Sequence, residues 1–189
     1  MGFESLEYPG FLIADPELED PNFRMTVVAL IHHDDQGSFG LVLNRPGEMF
    51  LADILPEFEK SPNGRQQVYL GGPVEQNRLF ALHNGDSIFP RSGYCSELCP
   101  NLFFEPDFST LENVLYSKSL THLRFYLGYA GWDKGQLEQE MIQRTWIPSA
   151  IHADVAMEDS GIKTWHLALA RMGPYYALIG QTGFRPSLN

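Results

Sequence analysis

Basic residues are scarce in this chain: 13 Lys and Arg stand against 24 Asp and Glu, a net charge of −11. A field of that sign repels phosphate backbones and anionic lipid headgroups, and no Lys/Arg cluster offsets it. Direct nucleic-acid binding is therefore disfavoured. Long apolar runs are also missing. The longest, Val27 to Ile31, falls far short of the ~18 residues of a membrane helix. The stretch Met1-Gly2-Phe3-Glu4-Ser5-Leu6-Glu7 carries acids where a secretion signal carries cations, and Leu6 stands where myristoylation requires Ser or Thr. The expectation is a cytoplasmic protein with no membrane attachment.

Cysteine is limited to Cys95 and Cys99, with no second pair. The favoured reading is two reduced thiols in a loop ending at Pro100; the alternative is a half metal site completed by His83 or His33, or a redox pair. Reaction signatures are absent too. There is no Gly-x-Ser-x-Gly elbow, no His-Glu-x-x-His helix and no Gly-x-Gly-x-x-Gly loop, and Gly161-Ile162-Lys163-Thr164 lacks the glycine beside lysine that a phosphate loop needs. No cofactor or metal is expected.

What is present is apolar periodicity and turn chemistry. With 189 residues, 43% of them hydrophobic, the chain has enough material for one domain spanning 1–189 and a proper core. Gly10 to Ala14 reads as a strand ended by Asp15-Pro16. Met25 to His33 and Phe39 to Leu43 read as a hairpin around Asp34-Asp35-Gln36-Gly37, with a histidine capping its end. Leu51, Ile54, Leu55 and Phe58 share a helical face interrupted by Pro56, so that helix is short or kinked near Leu55. Gln67 to Leu70 and Arg78 to His83 are strands, with Gly71-Gly72-Pro73 turning after the first, and the chain reads as irregular up to Pro100. Phe108, Leu111, Val114 and Leu115 predict a helix capped by Asp107 or Ser109. Arg124 to Tyr129 alternates as a strand and passes through Gly131-Trp132 and Gly135 into a helix carrying Leu137, Met141 and Ile142. Ala150 to Met157 reads as a late strand. Ile162, Trp165, Leu169 and Met172 mark a helix ended by Gly173-Pro174. Strands joined by hairpin turns without β-α-β alternation predict an α+β fold with a mixed, strongly bent sheet.

Six residues are candidates for a ligand or partner surface. Asn44 and Arg45 close the hairpin, and Arg45 is a cation suited to an anionic group. Gly71 and Gly72 offer either a tight turn or a nest of N–H groups for an anion; the turn is favoured because Pro73 has no N–H. Trp132 is either an exposed aromatic anchor or a side chain buried against its own strand. Glu138 and Glu140 complement the positive end of their helix and diverge from one another, Glu140 standing at pairing distance from Arg144, which leaves Glu138 for a role at a cleft.

Four segments together resemble the AlgH/YqgE family of small bacterial proteins: Gly10 to Val28, Gly37 to Pro46 with Gly40-Leu41-Val42-Leu43-Asn44-Arg45-Pro46, Tyr69 to Val74 with Gly71-Gly72-Pro73-Val74, and Gly128 to Glu140 with Gly131-Trp132. The resemblance implies a bent sheet enclosing a small barrel, flanked by helices, in a cytosolic bacterial protein. Members bear the label of transcriptional regulator, and no catalytic residue or cofactor is established for them. With the acidic balance, the expectation is a non-enzymatic binding or regulatory protein acting through a protein partner. The alternative is an enzyme of undetected type whose cleft is formed by Asn44, Arg45, Gly71, Gly72 and Glu138.

Overall fold

The computed structural model describes residues 8–84, 96–106, 123–158 and 161–185. The predicted helix over Phe108–Leu115 and Cys95 lie outside them. Among the described residues ten strands run as β1 Gly10–Ala14, β2 Val27–Asp34, β3 Gly37–Val42, β4 Pro46–Phe50, β5 Gln67–Leu70, β6 Val74–His83, β7 Ser96–Cys99, β8 Leu102–Glu105, β9 Leu123–Asp133 and β10 Trp146–Ser149. Among the described residues the helices are α1 Leu51–Ile54, α2 Gln136–Ile142, α3 Ala153–Ala156, α4 Ile162–Arg171 and α5 Pro174–Thr182, with a 3-10 turn at Pro56–Phe58. The fold is α+β, its sheet strongly curled into a half barrel with helices packed on it.

The strand path is β10-β1-β2-β3-β9-β6-β8-β7, and β5 pairs with β4 and β9. Every pairing is antiparallel except β5 with β9, which makes the sheet mixed. β9 is the organising strand. Along one edge it runs against β6; along the other, Phe125–Leu127 pair with β5 and Ala130–Asp133 pair with β3. Gly128 stands at the changeover with φ +70, a left-handed conformation that glycine adopts without a Cβ penalty. There the Gly71-Gly72 turn is pressed onto the strand. The Gly71 N–H donates to the Leu127 carbonyl and the Val42 N–H donates to the Gly71 carbonyl, each at 2.8 Å, so β3 and β5 are stitched end to end along β9.

Side-chain alternation on β9 distributes two cores. Tyr126, Ala130 and Trp132 enter the larger, built on β1, β2 and β3; Leu123, Phe125 and Leu127 enter a smaller one with Leu51, Phe58 and Val68. Pro56 ends α1 and starts the 3-10 turn at its first position, where its missing N–H is harmless. Trp165 of α4 is 1% exposed and donates its indole N–H to the Ala14 carbonyl at 2.8 Å, fastening the helix to β1.

Several expectations are corrected. The late strand is Trp146–Ser149, not Ala150–Met157, of which Ala153–Ala156 is helical; the stretch is too short for periodicity to separate the two states. β6 begins at Val74, ahead of the expected Arg78; β7 lies within the stretch that reads as irregular, and β8 follows just beyond Pro100. The segment after Gly173-Pro174 continues as α5, with Pro174 opening it. It is Asp34, not a histidine, that caps the hairpin, its Oδ1 accepting the Gln36 and Gly37 N–H groups.

Two predictions follow from this packing. A Cβ at Gly72, whose φ is +153, would stand 2.1 Å from the Tyr129 carbonyl carbon, whereas one at Gly135, φ +77, meets nothing within 4 Å. Gly72→Ala is expected to cost about 4 kcal/mol or more, and Gly135→Ala about 1 kcal/mol, in urea unfolding followed by circular dichroism. Secondly, His83 is 1% exposed and stacked on Phe103, and burial pushes its pKa down to about 4. The unfolded chain then takes up a proton at His83 between about pH 6.5 and pH 4 that the folded chain does not. The stability this neutral ring preserves at pH 7 should fall by up to about 3 kcal/mol as the pH drops through that window, and His83→Gln should remove that portion of the pH dependence.

Candidate functional site

The six candidate residues fall into three places. The first is the end of the β2–β3 hairpin. Asn44, 6% exposed, accepts the Val27 N–H on Oδ1 at 2.9 Å and donates from Nδ2 to the carbonyls of Met25 and Gly161 at 2.9 and 3.0 Å. One side chain thus ties three segments together. It also holds Met25 at φ 54, a backbone conformation strained for a non-glycine residue. Beside it, the half-buried Arg45 donates from Nη2 to the Arg24 carbonyl at 3.1 Å. Arg24 and Arg45 share a recess of about 550 Å³ whose apolar walls are Pro21, Met25, Pro46 and Ile162. Burial lowers the pKa of Arg45, the charge of Arg24 lowers it further, and Asp20 opposes them.

The second place is the β9–α2 junction. Trp132 is 6% exposed and stacks on Phe23, and Trp146 meets both rings edge-on. The Glu140 carboxylate gathers them: Oε2 accepts the indole N–H of Trp132 at 2.9 Å and that of Trp146 at 2.7 Å, while Oε1 accepts from Gln136 at 2.9 Å. Glu140 is therefore turned to the tryptophans, and it forms no ion pair with Arg144 among the described residues. Glu138 points the other way, as its spacing predicts. Its carboxylate lies 3.9 Å from His33 Nε2, and His33 Nδ1 lies 2.8 Å from Ser38 Oγ. His32 turns instead to Asp34 at 2.9 Å, and together with the Gln36 N–H bond it holds the Asp34 carboxyl below the usual range. The ring of Tyr8 stands edge-on to both imidazoles.

The third place is the Gly71-Gly72 turn, packed against β9. The Gly71 N–H is already donated to Leu127, so the anion-nest reading gives way to the turn. Neither glycine, nor Trp132, nor Glu138 lines the Arg45 recess, so the single cleft joining Asn44, Arg45, Gly71, Gly72 and Glu138 does not form there. A second cavity, about 350 Å³, is crossed by the ion pair of Arg185 with the buried Asp15. Among the described residues no group of three His, Cys, Asp or Glu side chains can hold a metal. Cys99 is half-buried, and burial together with Glu97 and Asp154 pushes its thiol pKa up, away from the thiolate that redox or metal chemistry uses.

Sequence reading missed three participants: Arg24, Ser38 and Glu140 as the joint acceptor for two indoles. Hairpin counting offers the one usable signal. The Val28↔Val42 register, continued outward, brings Arg24 and Met25 alongside Arg45. Nothing local in the sequence sends Trp146 back to Glu140.

Comparison with known proteins gives a consistent result. The family model described as AlgH-like, DUF179, matches residues 11–177. A UPF0301 protein of Alcanivorax borkumensis is 36% identical over 172 residues, covering 89% of this chain and 90% of that protein. The solution structure of AlgH from Pseudomonas aeruginosa superposes with a TM-score of 0.74 at 30% identity, covering 95% of both chains. The crystal structure of a Corynebacterium diphtheriae protein superposes with a TM-score of 0.77 at 21% identity, covering 91% of this chain and 90% of that one, a likeness of fold.

The Glu140 clamp makes a testable statement. Glu140→Ala leaves two buried indole N–H groups without their acceptor, at a cost of about 2–5 kcal/mol, while Glu140→Gln keeps an acceptor oxygen and should lose less than half of that. Thermal unfolding of the two variants, with tryptophan emission as the local probe, checks it; equal losses would mean that the carboxylate only fills space.

Proposed function

This chain belongs to the AlgH-like family, and from that premise we propose that it acts by binding: a cytoplasmic regulatory protein that works through a protein partner and catalyses no reaction. The observation that carries this reading is the commitment of its polar side chains. The Glu140 carboxylate accepts from two indoles and the Asn44 amide bonds three backbone groups, so the groups best suited to chemistry are already engaged in holding the fold. The partner surface takes in Arg45 and the exposed Glu138, with Asn44, Gly71, Gly72 and Trp132 fixing the backbone beneath it. Acidity supports a route through protein. A net charge of −11 opposes a nucleic-acid backbone, and two arginines in one recess are too few to reverse it.

A second reading has one observation in its favour. Ser38, His33 and Glu138 stand in hydroxyl–imidazole–carboxylate order, the sequence of groups used in acyl transfer. Against it, Ser38 is 9% exposed and the carboxylate is beyond hydrogen-bond distance from the ring.

Native mass spectrometry of the tagged protein isolated from bacterial cells tests both. The expected result is a stoichiometric protein partner whose retention drops about tenfold or more in Arg45→Ala, a loss of ~1.4 kcal/mol of binding, with circular dichroism unchanged. Labelling of Ser38 by a fluorophosphonate, abolished by His33→Ala, would establish the acyl-transfer reading instead.

A further inference from the structure

Three arginines in this fold meet carboxylates. Arg78 pairs with Glu75, Arg171 with Asp154 and Arg185 with Asp15. Arg24 and Arg45 do otherwise: they share a recess, and among the described residues no carboxylate forms an ion pair with either. Two like charges held together in an acidic protein need something to hold them there. That something is backbone. The Arg24 N–H donates to the Asp20 carbonyl at 2.8 Å, the Leu70 N–H donates to the Arg45 carbonyl at 2.8 Å, and Asn44 fixes the strained Met25 between them. Strain and repulsion maintained by a rigid frame are marks of a site arranged in advance for a ligand.

We propose that the Arg24–Arg45 recess binds a small organic dianion, a phosphate monoester or a dicarboxylate carried on an apolar body, at a site that shares Arg45 with the proposed partner surface. Two guanidinium forks match the charge of such a head group and can each donate to a pair of its oxygens. Pro21, Met25, Pro46 and Ile162 offer an apolar surface against which the body can pack. The recess, about 550 Å³, falls within the usual range of small-molecule sites, roughly 300–1,000 Å³. Ile162 is also the first residue of α4, so the recess borders the start of that helix. A small ligand is favoured over an acidic polymer because a polymer would bring further negative charge against a surface of net −11, whereas a single dianion brings only what the two arginines neutralise.

Isothermal titration of the full chain with phenyl phosphate, phthalate, benzoate and inorganic phosphate tests this. At least one of the two dianions should bind one to one with a dissociation constant below about 1 mM, and the tighter of them identifies the head group. Benzoate, with a single charge, should bind about tenfold more weakly or worse. Arg24→Gln changes only an exposed side chain, and it should weaken the dianion about tenfold while leaving the unfolding temperature unchanged; Arg45→Gln should do the same or more. No saturable binding of either dianion at about 10 mM would overturn the proposal. So would binding that survives both substitutions together. Inorganic phosphate binding as tightly as phenyl phosphate would remove the apolar body from it. Loss of partner retention in Arg45→Ala without any of these binding effects would sustain the partner surface and defeat the dianion site.

Discussion

One strand carries two neighbours on a single edge, and the architecture depends on how it manages this. β9 is paired by β5 along its first half and by β3 along its second, so at the changeover the backbone must bend and two chain segments must approach it closely. Gly128 supplies the bend and the Gly71-Gly72 turn supplies the approach, each leaving to neighbouring backbone the space that a Cβ would occupy. The curl of the sheet follows from that junction. So does the arrangement of its two cores, because the alternation of β9 is continued into both.

Around this frame, polar groups serve mainly to fix positions. Glu140 orients the indoles of two strands, β9 and β10, that are not paired with one another, and Asn44 fastens three stretches of main chain with one amide. Both are strong arrangements because burial makes an unmet donor costly, which gives each its structural leverage. The recess at Arg24 and Arg45 differs in kind: two arginines share it, no carboxylate forms an ion pair with either among the described residues, and the charge of Asp20 only partly offsets their repulsion.

Much of this was legible in the residues themselves. β1, the β2–β3 hairpin, β5, β9 with α2, and α4 all follow from period-two or helical spacing bounded by glycine and proline. The family resemblance and the bent, mixed sheet are borne out by the fold and the comparisons. The misses share a physical cause. β7, β8 and β10 are four residues each; where the equally short β5 is bounded by the Gly71-Gly72-Pro73 turn, β10 carries Pro148 within it, and all three are set by pairing with a neighbouring strand. Likewise, Arg45 reads as an isolated cation because Arg24 arrives beside it through pairing register, and Trp132 is covered by Phe23 and Trp146 through tertiary contact.

The indole of Trp165 and the carbonyl of Ala14 lie 151 residues apart in sequence, yet they form one buried hydrogen bond, and the open edge of β1 is filled by β10. During synthesis at about 5–20 residues per second, the first strand therefore leaves the ribosome roughly 8–30 s before its covering helix. For that interval Phe11, Leu12 and Ile13 are a nascent apolar segment with an unfilled edge, the kind of stretch that is prone to aggregate before its partners arrive. Tardy completion of the amino-terminal strand is thus written into the order in which the polypeptide is made.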